Sequence, residues 1–462
     1  MITVNLDYNI KKPLYIQLYE NIKNDIINKS LAPNSILPSK RSLAAHLGIS
    51  VKTVENAYSQ LLLEGYIYSV EKKGFYVSEL YDYRKSSPYT KPYTSQFKND
   101  SFLVDLKANK NNMEMFPAST WYRMMRETLS YDTARLLDTV PFNGLCELRV
   151  AIARYLLEFR GMTVSPDQII IGAGTEYLYT RLIQLLGRNT HFAVEDPGYN
   201  KIRAIYQSNE VFYKAIPIDK DGIRIDYLEE SGCDVVHISP AHHFPLGFVT
   251  PITRRLELLT WVNEKKDRYI IEDDYDCEYR YHGIPVPPLY SIDVRGKVIY
   301  MNTFSKSIAP AVRISYMVLP MELMEKYIAT MNFYSCSVSS FDQFTLAKFM
   351  DGGYLERHIN RMKRFYIKQH NDFISAINES SLSSKTQIIE DAAGTHFLLK
   401  VNTSLTDEVL IAKLREKGIL ISCLNEYCEH PQPYFDSTLI VNYSGITAKQ
   451  IRYFVTALDE II

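Results

Sequence analysis

Lys306 is the residue from which a chemical site can be traced. It closes the segment Thr303-Phe-Ser-Lys306, which comes after an apolar run at 297–301 that predicts a short buried strand leading into a polar turn. An ammonium beside the end of a buried strand is seldom left there unless it is paired or used in chemistry. A surface lysine after a strand is the ordinary alternative, and other parts of the chain decide between the two.

Two further segments place polar residues directly after predicted strands. The apolar run 269–271 is followed by three carboxylates at 272–274, and the run 169–171 is followed by Gly172-Ala-Gly-Thr175 and a helical pattern. Pyridoxal phosphate requires a lysine for a Schiff base and a carboxylate that keeps its ring nitrogen protonated. Its phosphate requires a glycine-containing turn at a helix N-terminus. Lysine, carboxylate and turn, each after a strand, together predict a pyridoxal phosphate site.

Longer segments around these residues resemble a known family. Residues 103–462 resemble fold-type I aminotransferases, specifically the aminotransferase-like half of the MocR/GabR branch of GntR regulators. The matching segments are Glu195–Tyr199, Ser239–Gly247, Ile271–Asp276 and Thr303–Lys306, together with Arg313. The resemblance implies an α/β structure with the pyridoxal phosphate-dependent aminotransferase fold of type I, in which a large domain with a mostly parallel sheet is joined by a small α/β C-terminal domain.

The resemblance also assigns roles to individual residues. Lys306 would carry the cofactor through a Schiff base, Asp273 would face the pyridinium nitrogen, and Tyr275 would bond the phenolic oxygen of the ring. Tyr199 would stack on the ring. Four residues would hold the phosphate, namely Gly174, Thr175, Ser305 and Arg313.

Two adjacent histidines, His242 and His243, lie in the segment that resembles the loop at the cofactor edge. We expect one of them to lie near the ring, and we include both among the cofactor-binding candidates. A histidine whose hydrogen bonds are satisfied within its own loop is an equally open alternative.

The usual carboxylate clamp of amino-acid aminotransferases is missing. By the resemblance, an arginine that forms a bidentate pair with the substrate carboxylate stands two residues before a strand asparagine, here Asn442, and that position holds Ile440. Lys201 and Arg203 are the nearest substitute cations and are the candidates for binding an effector. The missing arginine argues against efficient transamination, and it leaves open that pyridoxal phosphate itself is the signal.

Helix signals dominate the N-terminal part. Pro13, Ser39 and Ser50 each precede an amphipathic pattern, and Gly48 ends the second of the three. Two alternating apolar runs then flank the turn Glu71–Gly74, which predicts a hairpin. The pattern indicates a helix-turn-helix followed by a wing, although other small helical domains share parts of it.

Short segments sharpen this prediction because they resemble the GntR winged helix. They are Leu37–Ala44, Thr53-Val54, Ala57-Tyr58 and Glu64-Gly65. The residues that would contact DNA are Arg41, Ser50, Lys52 and Thr53 in the helix-turn-helix and Lys72 and Lys73 in the wing, where the lysines would reach phosphate. Val51 departs from the family, which often has a base-reading arginine there, and Asn34 replaces a common turn glycine. One such domain reads one half-site, so we expect a dimer on paired half-sites of double-stranded operator DNA.

Composition limits the class of protein. The 462 residues, with 46% hydrophobic and 23% charged side chains, suffice for two or three globular domains. Residues 1–78 carry nine basic and six acidic side chains, a modest excess that an ordinary solvated surface also explains. The spacing of the six cysteines fits neither a metal site nor a disulfide framework, which favours reduced thiols and a cytoplasmic protein. We expect no signal peptide and no membrane span.

These observations divide the chain into three segments. We predict a GntR-type winged helix at 1–78, a linker rich in Tyr, Ser, Lys and Pro at 79–102, and an aminotransferase-like effector domain at 103–462, with a small subdomain at about 380–462. The predicted function is a pyridoxal phosphate-dependent bacterial transcriptional regulator, which the family resemblance makes a head-to-tail homodimer. It would be cytoplasmic, and nucleoid-associated when bound to DNA. Pyridoxal phosphate, an amine or an amino acid would be the signal at Lys306, and vitamin B6 or amino-acid and amine metabolism genes the targets.

Two other functions fit the same residues. A catalytically active aminotransferase with a DNA-binding appendage is one, and Ile440 counts against it, although a residual transaminase half-reaction is compatible with a regulator. A structural dimer that has lost its cofactor is the other, and the joint retention of Lys306, Asp273, Tyr275 and Arg313 counts against it. We therefore expect a sensor rather than an enzyme.

Overall fold

The chain forms two compact units. The computed structural model describes residues 6–7, 11–80, 102–107, 113–131, 133–281, 286–389 and 394–462. Contacts divide the chain into Met1–Asn99 and Asp100–Ile462. Most of the predicted linker, residues 81–101, lies outside the described residues.

The first unit contains three helices and a small antiparallel sheet. The helices are α1 (Leu14–Ile27), α2 (Lys40–Leu47) and α3 (Val51–Leu63), and the strands are β1 (Ile36–Leu37), β2 (Ile67–Val70) and β3 (Gly74–Val77) in the order β1-β3-β2. The side chains of Ser39 and Ser50 accept hydrogen bonds from the third residue beyond them, which caps α2 and α3. Gly48, with φ of 66°, ends α2 in the left-handed region. The predicted helix-turn-helix and wing are confirmed.

One apolar core holds this first unit together. Leu18 and Ile22 of α1 face Val54 and Leu61 of α3, and all four are buried. Leu18 and Ile22 are four positions apart and Val54 and Leu61 are seven apart, so each pair lies on one face of its helix. The faces of α2 and α3 that point away from this core are exposed to solvent. A helix that reads DNA needs such an exposed face.

The second unit contains thirteen α-helices and fourteen strands within the described residues. The helices are α4 (Ala118–Tyr131), α5 (Thr133–Leu137), α6 (Cys146–Tyr155), α7 (Thr175–Leu186), α8 (Asn200–Ser208), α9 (Ile225–Glu230), α10 (Ile252–Asn263), α11 (Phe304–Ser307), α12 (Met321–Met331), α13 (Ser340–Asp351), α14 (Tyr354–Asn378), α15 (Asp407–Glu416) and α16 (Ala448–Ile461). The strands are β4 (Val104–Asp105), β5 (Ile169–Gly172), β6 (Phe192–Asp196), β7 (Tyr213–Asp219), β8 (Gly222–Ile223), β9 (Val235–Ile238), β10 (Tyr269–Asp273), β11 (Val298–Thr303), β12 (Ser315–Val318), β13 (Thr386–Ile389), β14 (His396–Val401), β15 (Ile419–Leu420), β16 (Ser422–Cys423) and β17 (Thr438–Asn442).

The large sheet has the order β5-β12-β11-β10-β9-β6-β7-β8. Its central strands β11, β10, β9, β6 and β7 are parallel, while β12 and β8 run antiparallel to their neighbours. Helices α7 and α12 contribute to the core on one face, and α6, α10 and α13 contribute to cores on the other. Because both faces are covered, the strands are continuous apolar runs, and those runs are what made them predictable. The predicted α/β fold is confirmed.

The C-terminal part of the unit forms a smaller sheet with the strand order β13-β14-β17-β16, in which neighbouring strands are antiparallel. The short strand β4, from the beginning of the unit, pairs in parallel with β15. The backbone beyond it continues the attachment, since the Leu106 N–H donates to the Leu420 carbonyl at 2.8 Å and the Asn442 N–H donates to the Leu106 carbonyl at 3.2 Å. Residues 102–107 therefore belong to the small subdomain in space, although they are remote from it in sequence.

None of the helices in the described ranges is long and apolar enough to cross a membrane.

Candidate functional site

A cavity of about 330 Å³ lies where strands β10 and β11 end. Because parallel strands end at one edge of a sheet, residues that come after different strands meet there. The cavity is lined by Leu106, Lys107, Thr175, Tyr199, Ser239, Phe244, Asp273, Tyr275, Thr303, Ser305, Lys306, Pro310, His396, Ser422, Tyr427, Ile440 and Asn442. Six of the predicted cofactor residues are among them, namely Thr175, Tyr199, Asp273, Tyr275, Ser305 and Lys306.

Lys306 lies in α11, a single helical turn directly after β11, where the sequence predicted a polar turn. The turn is capped by Thr303, whose side chain accepts a hydrogen bond from the Ser305 N–H at 3.1 Å. The hydroxyl of Tyr279 donates to the Lys306 carbonyl at 3.1 Å, so the backbone below the amine is fixed. Removal from bulk water lowers the pKa of Lys306 to about 8, although Asp276 and Asp273 act in the opposite direction. A larger fraction of this amine is therefore neutral at a given pH than in an ordinary lysine.

Asp273 ends β10 and has two unlike carboxylate oxygens. Its Oδ2 accepts a hydrogen bond from the Tyr179 hydroxyl at 2.9 Å, and that hydroxyl lies 2.8 Å from Nε2 of His237. Its Oδ1 is buried and has no hydrogen-bond partner among the described residues. A buried carboxylate oxygen without a partner is costly, so this oxygen is suited to a ligand that brings a positive N–H. The sequence did not single out Tyr179 or His237, because both fall on apolar patterns typical of a core.

The glycine turn opens α7 as predicted. Gly174 has φ of 96°, which favours glycine, and a Cβ there would collide with the guanidinium of Arg313. Arg313 itself is exposed and has φ of 50°, and its guanidinium pairs with Glu176, which also pairs with Lys201. A guanidinium beside the N-terminus of a twelve-residue helix is an arrangement that binds anions such as phosphate.

Neither of the two predicted histidines is among the residues that line the cavity. Nδ1 of His242 is 2.7 Å from Oδ2 of Asp276 and 3.3 Å from the Tyr275 hydroxyl, so His242 positions Tyr275. His243 is fully buried, with Nε2 at 3.7 Å from Glu195, and burial lowers its pKa to about 3. The histidine that lines the cavity is His396, which was not predicted. Its pKa is lowered by burial to about 4, so its ring is neutral.

Neither predicted effector cation lines the cavity. Lys201 is engaged with Glu176. Arg203 donates to the Tyr427 carbonyl at 2.9 Å and lies 3.7 Å from Asp196, so it attaches a loop of the small subdomain to the large one. Ile440 does line the cavity, at the position where an arginine clamp was expected.

The DNA-contact candidates lie on the exposed side of the first unit. Ser50 and Thr53 are hydroxyl partners at 2.8 Å in the cap of α3, and Lys52 pairs with Glu55 at 2.9 Å. Arg41 is exposed near the start of α2, and Lys72 and Lys73 are exposed in the turn of the wing. The departure at Asn34 has a structural reason, since its φ of 62° is one that glycine or asparagine adopts.

Two family models match the chain. The model for bacterial regulatory proteins of the gntR family matches residues 14–77, and that for aminotransferase class I and II matches residues 103–458. The uncharacterized HTH-type transcriptional regulator YdeL of Bacillus subtilis is 36% identical over 98% of this chain and 97% of its own. The probable rhizopine catabolism regulatory protein MocR of Rhizobium meliloti is 30% identical over 98% and 94%. The chain belongs to the MocR/GabR subfamily of GntR regulators.

Further relatives of this MocR/GabR regulator include both regulators and enzymes. The pyridoxine biosynthesis transcriptional regulator PdxR of Corynebacterium glutamicum is 29% identical over 89% of this chain and 88% of its own. The crystal structure of the multiple substrate aminotransferase from Thermococcus profundus covers 79% of this chain and 92% of its own, with 25% identity and a TM-score of 0.69. The kynurenine aminotransferase from Pyrococcus horikoshii, solved with PMP, has 24% identity and a TM-score of 0.67 over 79% and 92%.

The donor set fits the cofactor of this fold, pyridoxal phosphate. The unpartnered Oδ1 of Asp273 suits a ring N–H, and the Lys306 amine has the lowered pKa that a Schiff base requires. Thr175, Ser305 and the start of α7 suit a phosphate. The MocR/GabR regulator is thus a pyridoxal phosphate-dependent transcriptional regulator, with a GntR DNA-binding unit and an aminotransferase-like unit.

Proposed function

We propose that this regulator binds operator DNA as a head-to-tail homodimer. Its affinity for that DNA would change when pyridoxal phosphate, or an amine or amino acid, binds at Lys306. The observation that carries the proposal is that Lys306 and Asp273 line the same cavity, and that Oδ1 of Asp273 is buried there without a hydrogen-bond partner among the described residues. In the same chain, a GntR domain supplies the DNA-binding readout. A sensor needs these two parts, and a metabolic enzyme needs only the first.

Bound pyridoxal phosphate supplies an aldehyde that forms a Schiff base with an amine and a ring that withdraws electrons. Asp273 would hold the ring nitrogen in its protonated form, and Tyr179 would keep that carboxylate oriented through its 2.9 Å hydrogen bond. Tyr275, positioned by His242, would donate to the phenolic oxygen. Four groups would hold the phosphate: Gly174, Thr175, Ser305 and Arg313. Tyr199, which stands in edge contact with Phe244, would cover the ring.

The signal is a shift between two conformations of the aminotransferase-like unit. A ligand moves such an equilibrium only by the difference between its affinities for the two states. The loop around Tyr427 is a candidate for the part that moves. It lines the cavity, and it is attached to the large subdomain through Arg203 and through the Gly198 N–H, which donates to the Tyr427 carbonyl at 3.1 Å.

A catalytic aminotransferase is the competing function, and Ile440 favours the sensor over it. An aliphatic side chain in the cavity wall cannot clamp a substrate carboxylate as a guanidinium does. A single half-reaction is compatible with the residues present, whereas repeated turnover requires two substrates to be held in sequence.

The names of relatives suggest where the controlled genes lie. One is named for pyridoxine biosynthesis and another for rhizopine catabolism. We propose genes of vitamin B6 or of amine and amino-acid metabolism as targets. A regulator of bacterial genes acts in the cytoplasm, associated with the nucleoid while it is bound to DNA.

The test compares the wild-type chain with Lys306→Ala. A DNA fragment that the wild-type protein selects from a random pool is labelled, and its binding is followed by fluorescence anisotropy with increasing pyridoxal phosphate and then amines. We expect DNA affinity to change about fivefold or more with ligand in the wild type. We expect Lys306→Ala to bind the same DNA without responding, since Lys306 and the DNA-binding residues lie in different units. Lys326→Ala, an exposed lysine of α12, is the control and should respond normally.

Turnover is measured on the same preparations. A regulator loaded with pyridoxal phosphate releases at most one equivalent of keto acid per site from an amino acid, whereas sustained turnover by the wild type would support the enzyme. A Lys306→Ala variant that still responds to ligand on DNA would contradict the proposed site.

A further inference from the structure

Lys107 contributes a cation to the wall of the cavity from an unexpected part of the chain. It lies just after β4, and it is one of the residues that line the cavity, together with Ser422, Tyr427 and Ile440. Its Nζ lies 2.8 Å from Oε2 of Glu426, and the two side chains are 44% and 37% exposed. It therefore stands on the wall that also carries Ile440, on the side of the small subdomain.

The backbone that leads into Lys107 is held by hydrogen bonds. Leu106, which precedes it, exchanges hydrogen bonds with Leu420 and Asn442, and the Lys107 N–H donates to Oδ1 of Asp105 at 3.2 Å. Because Asn442 ends β17 two residues after Ile440, Lys107 is tied to the strand end that bears the expected clamp position. The backbone from which the Lys107 side chain departs is thus attached to the small subdomain.

Glu426 orients this lysine, and both of its carboxylate oxygens already accept hydrogen bonds. Its Oε1 accepts the Cys423 N–H at 3.1 Å, and its Oε2 accepts the Ser422 hydroxyl at 3.1 Å as well as the Lys107 ammonium. The Asn200 amide also holds the Glu426 carbonyl at 2.7 Å. An ammonium carries three N–H donors, and Glu426 takes one of them. The pair therefore offers donors to a ligand rather than acceptors.

We propose that Lys107 binds the anionic group of the effector, and that the effector is an amine that also carries a carboxylate. This inference rests on the proposed function at Lys306. The amine would lie toward Lys306, and the carboxylate would pair with Nζ of Lys107. Its hydrocarbon part would lie against Leu106, Phe244 and Ile440, which supply apolar surface to the same cavity. A point charge beside aliphatic walls would place the carboxylate differently from a bidentate guanidinium.

The test is an absorption titration of the full-length protein loaded with pyridoxal phosphate. The probes are straight-chain amino acids whose amine and carboxylate are separated by chains of increasing length, each paired with the alkylamine that lacks the carboxylate. The proteins are the wild type, Lys107→Ala, Lys107→Arg and Lys417→Ala. The last is a matched control because Lys417 pairs with Glu460 at 2.7 Å in the same subdomain, with exposures of 45% and 56%, and does not line the cavity.

We expect at least one amino acid to shift the cofactor spectrum of the wild type at a concentration about tenfold or more below its alkylamine. Lys107→Ala should lose that preference while keeping the cofactor spectrum and the response to the alkylamine. Lys107→Arg should retain part of the preference, and Lys417→Ala all of it. If Lys107→Arg keeps part of the preference for the amino acid over its alkylamine, the positive charge at this position binds the carboxylate and does not merely support the structure.

Three results would overturn the inference. If Lys107→Ala keeps the preference for carboxylate-bearing amines, another group binds the carboxylate, and the proposed function is unaffected. If the wild type binds the cofactor but prefers diamines or ignores every amine, the effector is not an amino acid, and the proposed sensor function survives without this inference. If the wild type shows no cofactor spectrum at all, the proposed function fails and the inference falls with it.

Discussion

The two units of this regulator differ in where they keep their polar groups. Among the described residues of the N-terminal unit, Gln17 is the one buried polar side chain, and the rest of the buried core is apolar. The aminotransferase-like unit buries many charged side chains, among them Arg160, Glu195, Asp273 and Glu278. The N-terminal unit therefore has its polar groups on the surface, where DNA can bind, whereas the aminotransferase-like unit has polar groups in its interior, where they can surround a small ligand.

The difference has an energetic basis. Burying a charge is unfavourable unless it is paired and hydrogen-bonded. Arg160 and Asp274 meet that condition with a contact of 2.7 Å, whereas Oδ1 of Asp273 does not meet it within the described residues. A buried polar atom that lacks a partner points to a ligand when its residue also lines a cavity, as Asp273 does, whereas water satisfies an exposed group. Exposed candidates such as Lys52 and Arg41 therefore carry less information about function.

The largest effect is expected at Asp273. Asp273→Asn keeps the shape and the acceptor for Tyr179 but removes the charge that faces the ring nitrogen. We expect pyridoxal phosphate affinity to fall about a hundredfold or more, since removing one partner of a buried charge pair costs about 3 kcal/mol or more. The unfolding temperature of the cofactor-free protein should be unchanged or higher, because the buried negative charge, which has no partner at Oδ1 among the described residues, is gone. Cofactor titration measures the affinity, and thermal unfolding measures the stability. If Asp273→Asn lost both affinity and stability, the proposal that Asp273 binds the cofactor would be contradicted.

A pH effect of intermediate size is expected at Lys306. Its pKa is lowered to about 8, and only the neutral amine attacks an aldehyde, so the reactive fraction rises with pH and levels off above about 8. The rate of covalent cofactor capture should therefore rise about tenfold per pH unit below that value. Stopped-flow absorbance measures it. Pyridoxine phosphate, which has no aldehyde, should bind with a flat profile over the same range. A rate that keeps rising to the pKa of an ordinary lysine, 10.5, would show that the amine is not desolvated.

The smallest effect is expected in the wing. Lys72→Ala and Lys73→Ala each remove one exposed charge from the first unit. If each lysine contacts one phosphate, each change should weaken DNA binding several-fold for all sequences alike and reduce the slope of log affinity against log salt by about 1. Anisotropy titrations at several salt concentrations measure the slope, with Lys326→Ala as an exposed-lysine control. An unchanged slope would remove the wing from the interface.

The same contrast explains how much of the molecule could be predicted. The strands before Lys306 and Asp273 are short apolar runs because both faces of the sheet are covered, so their existence and their shared edge could be inferred from the sequence. The caps at Ser39 and Ser50 were predictable because they depend on local hydrogen bonds. Helix α11 was not, since four residues are too few to show a helical period.

The remaining part of the cavity could not be predicted because distant segments build it. Lys107 follows β4 near the start of the unit and His396 begins β14 in the small subdomain, and no local pattern joins them. Tyr179 and His237 support Asp273 from positions that look like ordinary core. Arg203 was a reasonable effector candidate by sequence distance, yet its guanidinium binds a loop of the small subdomain. Sequence spacing identifies the residues at the end of a strand, but not the residues that face them across a cavity.

The most direct test of the central claim is the visible absorption spectrum of the purified full-length protein during titration with pyridoxal phosphate and then with amines. We predict a visible band typical of the cofactor bound covalently to a lysine, present in the wild type and absent in Lys306→Ala. A band that then shifts with one amine would identify an amine effector, and a band that ignores every amine would identify the cofactor as the signal. No such band in the wild type at saturating pyridoxal phosphate would contradict the assignment of Lys306 as the residue that binds the cofactor.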